Sequence, residues 1–265
     1  MKTMITGYID AHAHLADDDF RDTINEVIHR AQEAGVGRIC LIATSLTVAD
    51  HAFELAAQYP DLFDIAIGFH PSDIRTLTDK DYDDLECYLK KPGVVAVGEI
   101  GLDYHWQEDN KPEQKVAFIR QIDLANKLQL PIEIHSRDAL QETLDVVKAH
   151  RPIYGGIMHC YSGSAEMAEE FVKAGLEISL GGPLTFKNAV HPKEVVQAIP
   201  IEHLFSETDS PYLTPHPFRG KPNESKYVVY VTEAIAELKG LSVEETKNKI
   251  AENYTRLFHQ ERHKD

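Results

Sequence analysis

The sequence predicts one (β/α)8 barrel spanning residues 1–265, and three observations lead there. Short apolar and β-branched runs alternate with amphipathic helical stretches along the whole chain, the pattern of βαβ units and parallel pairing. Eight such runs are present, and a chain of 265 residues matches the roughly 250 that an eightfold barrel takes. Third, many of the runs end in His, Glu or Asp, which places polar chemistry at the C-terminal rim, where barrel enzymes carry it. A doubly wound open sheet accounts for the alternation but has no need of eight similar strand ends.

Taken in order, the strands are expected at Ile5–Ile9, Arg38–Ala43, Asp64–Gly68, Val94–Gly98, Pro131–His135, Gly156–His159, Leu176–Ser179 and His203–Ser206. Helical spacing fills the gaps at Asp22–Ala34, Val48–Gln58, Asp79–Leu89, Pro112–Leu128, Ala139–Ala149, Ala165–Lys173 and Lys193–Ala198. Two further helices, Lys226–Leu238 and Val243–His259, close the barrel. The proline-rich loop from Ser210 to Ser225 belongs over the mouth, and no linker or low-complexity tract divides the chain.

Composition narrows the function classes. With 43% hydrophobic and 26% charged residues the chain reads as an ordinary soluble protein, and no run approaches the roughly 18 apolar residues of a membrane span. The N-terminus reaches polar residues too soon for a signal peptide. Three scattered cysteines, Cys40, Cys87 and Cys160, form no C-x-x-C pair and point to reduced thiols in the cytoplasm. A net charge of −16 excludes a broad basic face for long duplexes, though not an enzyme that grips a strand end. Fourteen histidines are the compositional oddity.

The rim explains many of them. His12 and His14 are spaced i, i+2, so on a strand they share a face. Glu99, His135, His159 and Asp209 stand at four other strand ends. His12, His14, Glu99 and Asp209 can hold one divalent ion and His135 and His159 a neighbour, with Glu99 bridging through its two oxygens. A mixed nitrogen and oxygen set without thiolate suits Mg, Mn, Zn, Co or Ni. Asp209 and Glu99 are the expected catalytic carboxylates, Asp209 accepting the proton of an attacking water. Arg137 shares the face of His135 and offers a fork for phosphate, with a rim ion pair as the plainer role. His70, before Pro71, is a candidate phosphate donor or a structural imidazole. Glu207 is expected to orient a ligand rather than bind metal. Tyr104 and Trp106 are candidate stacking partners for bases, and Arg219 adds positive charge in the mouth loop. Cys160 is expected to turn away from the metal face.

Several segments closely resemble the TatD family of metal-dependent deoxyribonucleases, among the amidohydrolase-like barrels. They include Asp10-Ala11-His12-Ala13-His14-Leu15, Gly68-Phe69-His70-Pro71, Gly98-Glu99-Ile100-Gly101-Leu102-Asp103-Tyr104, Ile134-His135-Ser136-Arg137-Asp138-Ala139, His159-Cys160-Tyr161-Ser162-Gly163, Glu207-Thr208-Asp209-Ser210-Pro211-Tyr212-Leu213 and Arg219-Gly220-Lys221-Pro222-Asn223. The blocks around Glu99 and Asp209 are the specific ones. Tyr161, where the family often has Phe, and Ser225, where Pro is frequent, depart from the pattern without touching a ligand. By position the resemblance puts metal ligands at His12, His14, Glu99, His135, His159 and Asp209. It implies a magnesium- or manganese-supported phosphodiesterase that trims single-stranded 3′ ends of DNA, in repair or turnover. A D-aminoacyl-tRNA deacylase or another ester or amide hydrolase on the same barrel is the alternative enzyme. A non-catalytic scaffold conflicts with the intact ligand set. A monomer is the expected oligomeric state.

Overall fold

The computed structural model describes residues 5–106 and 109–259; the outermost residues of the expected 1–265 domain lie outside that span. Eight parallel strands hydrogen-bond in sequence order, β1 (Tyr8–Ala13), β2 (Val36–Ala43), β3 (Phe63–Ile67), β4 (Val94–Asp103), β5 (Ile132–Arg137), β6 (Gly156–Met158), β7 (Leu176–Leu180) and β8 (Leu204–Ser206). The last strand returns to the first: Ser206 Oγ donates to the Ile9 carbonyl at 2.9 Å, Asp209 N–H to the His12 carbonyl at 3.0 Å, and His14 N–H to the Ser210 carbonyl at 2.9 Å. A nearly closed barrel results, as the alternation predicts.

Around it run α1 (Ile24–Glu33), α2 (Leu46–Gln58), α3 (Asp79–Leu89), α4 (Lys111–Leu128), α5 (Leu140–Ala149), α6 (Ala165–Lys173), α7 (His191–Ala198), α8 (Val228–Lys239) and α9 (Val243–Phe258). Local chemistry sets their ends. Ser242 and Glu245 exchange hydrogen bonds at the start of α9, Oε2 of Glu245 accepting from Ser242 N–H at 2.9 Å and Ser242 Oγ accepting from Glu245 N–H at 3.2 Å. Gly240, at φ 66°, ends α8 in the left-handed turn that glycine adopts without cost.

The strands are buried on both faces, as parallel sheets covered by helices require, and all ten residues of β4 are buried. Ile39, Leu41, Ile65, Ile67, Phe118, Phe171 and Phe205 are among the fully buried side chains of the one continuous apolar core.

All eight strands differ from expectation by one or more residues at an end, and the differences at β1, β4 and β6 bear on the rim. β1 starts later and runs through His12 because Asp10 and His12 find partners inside the barrel: Asp10 accepts from Thr208 N–H at 2.8 Å and Oγ1–H at 2.7 Å, and His12 meets Glu133. β4 does not stop at Gly98 but reaches Asp103, whose Oδ1 accepts the N–H groups of His105 at 2.9 Å and Trp106 at 3.1 Å and so turns the chain. β6 ends at Met158, so Cys160 lies in a turn at φ 43° rather than alternating along a strand.

Gly101 marks a close approach of β4 to β5. It sits at φ 143°, and a Cβ there would lie 2.0 Å from the His135 carbonyl oxygen. A Gly101→Ala change should therefore push β4 from β5 and lower the melting temperature by about 5 °C or more. Differential scanning calorimetry checks this, and an unchanged transition would mean that the two strands tolerate separation.

Candidate metal centre

β1, β4, β5 and the segments after β6 and β8 bring His12, His14, Glu99, His135, His159 and Asp209 to one end of the barrel. Five of these are buried and His135 is half-buried, and no expected ligand falls elsewhere. The donor atoms form two groups that meet at Glu99. Its Oε2 lies 3.6 Å from His12 Nε2 and 3.7 Å from His14 Nε2. Its Oε1 lies 2.8 Å from His135 Nδ1, 3.4 Å from His159 Nε2 and 3.9 Å from His70 Nε2. Asp209 Oδ1 completes the first group, 3.5 Å from His14 Nε2 and 3.9 Å from His12 Nε2, and the two Nε2 atoms are 3.3 Å apart.

These spacings test whether a metal fits. Two ligand atoms, each about 2.1 Å from an ion, lie about 3.0 Å apart at right angles and about 3.4 Å apart in a tetrahedron. The measured separations run from 2.8 to 3.9 Å, so the donors stand at or slightly beyond those edges. The two imidazole Nε2 atoms face each other at 3.3 Å, close enough to share one proton or to turn both lone pairs toward one cation. The donor atoms of His12, His14 and Asp209 lie close enough together to hold a metal ion, as do those of His12, Glu99 and His159 and those of His70, Glu99 and His135.

A further layer holds the ligands by their other atoms. Glu133, fully buried on β5, sits 2.9 Å from His12 Nδ1 and accepts the Cys40 thiol at 3.4 Å, so the imidazole keeps its proton on Nδ1 and presents the Nε2 lone pair. Asp103 Oδ2 lies 2.9 Å from His135 Nε2. Glu207 Oε1 lies 2.9 Å from His159 Nδ1, without hydrogen-bond alignment, and accepts Cys160 N–H at 2.9 Å. Asp209 itself sits at φ 56°, a region side-chain-bearing residues rarely adopt. Thr208, pinned by Asp10, and Asn223, whose Nδ2 donates to the Thr208 carbonyl at 2.7 Å, hold it there.

The electrostatics follow. Burial works against charge on His12, yet hydrogen bonds to Glu133 and Glu99 hold its pKa well above the ordinary imidazole value. Burial likewise opposes charge on His135, and Asp103 and Glu99 raise its pKa to about 9. Glu99 is held well below the carboxylate range despite its burial, chiefly by His159, His12 and His135. Asp209 is lowered by His14 against the same opposition from burial. Ionised carboxylates thus surround imidazoles that would otherwise take protons, and a divalent cation supplies the same positive charge. Asp10 is different: burial lifts its carboxyl to about 7 even with the Thr208 N–H and hydroxyl donating to it.

The remaining expected residues divide. His70 Nδ1 accepts Ser72 N–H at 3.2 Å, which leaves the ring proton on Nε2, facing Glu99; burial lowers its pKa, so it is a neutral donor rather than a ligand. Arg137 borders the centre, its guanidinium 5.3 Å from the ring of exposed Trp106. Tyr104, expected to stack on bases, is buried: its hydroxyl donates to Glu142 at 2.7 Å and Lys111 covers its ring. Arg219 lies over Phe186 at 4.0 Å and borders neither cavity at the centre. Cys160 is no nucleophile, because burial and the neighbouring Glu207 push its thiol well up.

Glu133, Asp103 and Asp10 were missed in the sequence. Each left a signal: Glu133 and Asp10 precede His135 and His12 by two residues and so share their strand faces, and Asp103 follows Glu99 at the end of the same strand.

The chain is similar to known proteins along almost its whole length. The sequence profile of the TatD related DNase family matches residues 9–259. The metal-dependent hydrolase YabD of Bacillus subtilis is 46% identical over 250 residues, covering 94% of this chain and 98% of its own. The metal-dependent hydrolase YcfH of Escherichia coli is 34% identical over 255 residues, covering 95% of each. The crystal structure of YjjV, a TatD homologue from E. coli, superposes with a TM-score of 0.91 at 31% identity, over 97% of this chain and all of that one.

Replacing Glu133 tests the supporting layer. Glu133→Gln keeps the volume but weakens the pull on the His12 ring, and divalent-ion affinity should fall about 10- to 100-fold with the fold retained. Isothermal titration with Mn²⁺ reads this directly, and unchanged affinity would make Glu133 a packing residue.

Proposed function

The chain belongs to the TatD family of metal-dependent hydrolases, and from that premise we propose that it hydrolyses phosphodiester bonds at single-stranded DNA ends. Trimming runs from the 3′ end, with two divalent ions, magnesium or manganese, held by His12, His14, Glu99, His135, His159 and Asp209. The observation that carries this reading is the split of Glu99, one oxygen toward each donor group. Paired ions at such a spacing supply Lewis-acid charge to a phosphoryl group and acidify water.

The chain's own residues do the rest. Asp209, kept ionised at the floor of the cleft, accepts the proton of the water that attacks phosphorus. The bond from phosphorus to the leaving sugar oxygen breaks in the same displacement. Arg137 offers two N–H groups to a non-bridging oxygen, and the Nε2–H of His70 offers one more. Exposed Trp106 and Tyr212 flank the cleft and present rings to unpaired bases. Affinity from a few phosphates and stacked bases suits a chain at −16, which has no basic track for a duplex.

Among the described residues no helix is long and apolar enough to cross a membrane. We place the enzyme in the cytoplasm, as a monomer acting on free strand ends.

A linear single strand, its duplex and a closed circular single strand, assayed side by side with Mg²⁺, test the reading. The linear single strand should be degraded fastest, the circle should resist, and EDTA should stop the reaction until metal is returned. Equal rates on the circle would mean an endonuclease. Inertness on all three, with hydrolysis of a D-aminoacyl-tRNA, would transfer the activity to a carbonyl ester.

Asp209→Asn should leave the fold intact and lower kcat by about a hundredfold or more, since an amide accepts no proton and binds metal poorly. A loss below about tenfold would make Asp209 structural and require another base.

A further inference from the structure

Two cavities meet at the metal centre, and the smaller has no role in the chemistry above. The larger, about 570 Å³, holds the donor atoms and is flanked by Trp106 and Tyr212. The smaller, about 320 Å³, opens beside it among the segments that follow β6, β7 and β8. His135, Arg137, His159, Asp209 and Leu213 border both.

The smaller cavity is lined mainly by apolar groups. Leu180, Pro183 and Leu184 come from the end of β7 and the turn after it, and Pro192 from the first turn of α7. Tyr161 adds its ring, since its hydroxyl already donates to the Ser164 carbonyl at 2.9 Å. Asp209, at the junction, is the only carboxylate among the lining residues. The volume sits at the lower end of the range for small-molecule sites, room for one compact group.

Leu213 stands at the partition. It is 42% exposed, yet its backbone is at φ 54°, a conformation that a leucine avoids unless its surroundings impose it. Two contacts impose it. A Cβ at Gly182 would lie 1.8 Å from the Leu213 carbonyl oxygen, so only glycine lets the loop after β8 press against the turn after β7. Asn223 Nδ2 then donates to the neighbouring Tyr212 carbonyl at 2.6 Å. An exposed apolar side chain held in a costly backbone state beside a reactive centre is where strain is kept for function.

We propose that the smaller cavity is the subsite for the terminal nucleobase of the strand, and that Leu213 is the wedge that parts it from the next base. The proposal deepens the nuclease reading and rests on it. Residues shared by the two cavities surround the place where the scissile phosphate meets the donor atoms and Arg137. The terminal nucleoside then lies on one side of that junction and the remaining strand on the other. The wide cavity with two exposed aromatic rings suits the strand, and the compact apolar one suits a single uncharged ring. Its polar side chains away from the metal donors include Arg137 and the hydroxyls of Ser136, which is already bonded to Thr143 at 2.8 Å, and Ser162.

The test uses two linear oligonucleotides, identical except that one ends in a normal nucleotide and the other in an abasic residue, with the Mg²⁺-loaded enzyme. Release of the terminal residue should have a kcat/KM about tenfold higher or more when the base is present. Ser162→Trp, an exposed position that projects bulk into the cavity, should bring that ratio close to one. Leu213→Gly, which suits the positive φ and so retains the melting temperature, should lower the ratio as well. A ratio near one in the unaltered enzyme, or a ratio that Ser162→Trp leaves unchanged, overturns the subsite. Failure to cleave either oligonucleotide overturns the nuclease reading itself, and this proposal with it.

Discussion

A carboxylate at 3% exposure, with five imidazoles around it, is the feature on which the rest of this molecule depends. An unpaired charge so deep in a barrel would cost several kcal/mol. Glu99 is there because both of its oxygens face nitrogen donors, and because the strands around it deliver those donors from four directions. His12 and His14 come from β1 and its end, His135 from β5, and His159 from just past β6. Away from the rim the buried acids are likewise paired, Asp64 with Tyr254 and His259 and Glu177 with His203 and Arg256.

Each imidazole has two nitrogens, and the fold uses both. Where one faces Glu99 or its partners, the other faces Glu133, Asp103 or Glu207. For His12 and His135 that arrangement fixes ring orientation and proton position together, which a lone ligand cannot do for itself. The same logic reaches Asp209 through the backbone. Asp10 grips Thr208 through both its N–H and its hydroxyl, and Asn223 binds the Thr208 carbonyl. The left-handed conformation of Asp209 is thereby held by hydrogen bonds on either side rather than by the ligand's own preference.

The barrel and the metal donors were legible in the sequence because both follow from period and position. A strand that is buried on both faces reads as an apolar run, and a polar residue at its end reads as rim chemistry, so His12, Glu99, His135 and Asp209 stood out. The supporting acids were not legible for the same reason. Glu133 and Asp103 lie within strands, and the run Val94–Gly98 gave no sign that β4 continued to Asp103. Side-chain exposure was the second blind spot. Tyr104 and Trp106 are two residues apart and alike in type, yet one hydrogen-bonds Glu142 in the interior and the other stands in solvent. Leu213 could not be singled out at all, since its backbone state depends on Gly182 from a distant loop.

The central claim is that one carboxylate joins two metal sites. Anomalous diffraction from crystals loaded with Mn²⁺ measures it most directly. The account predicts two ions about 3.5–4 Å apart, one beside His12, His14 and Asp209, the other beside His135 and His159, with one oxygen of Glu99 on each. A single ion at full Mn²⁺ saturation, or a pair of ions that Glu99 does not span, would contradict it.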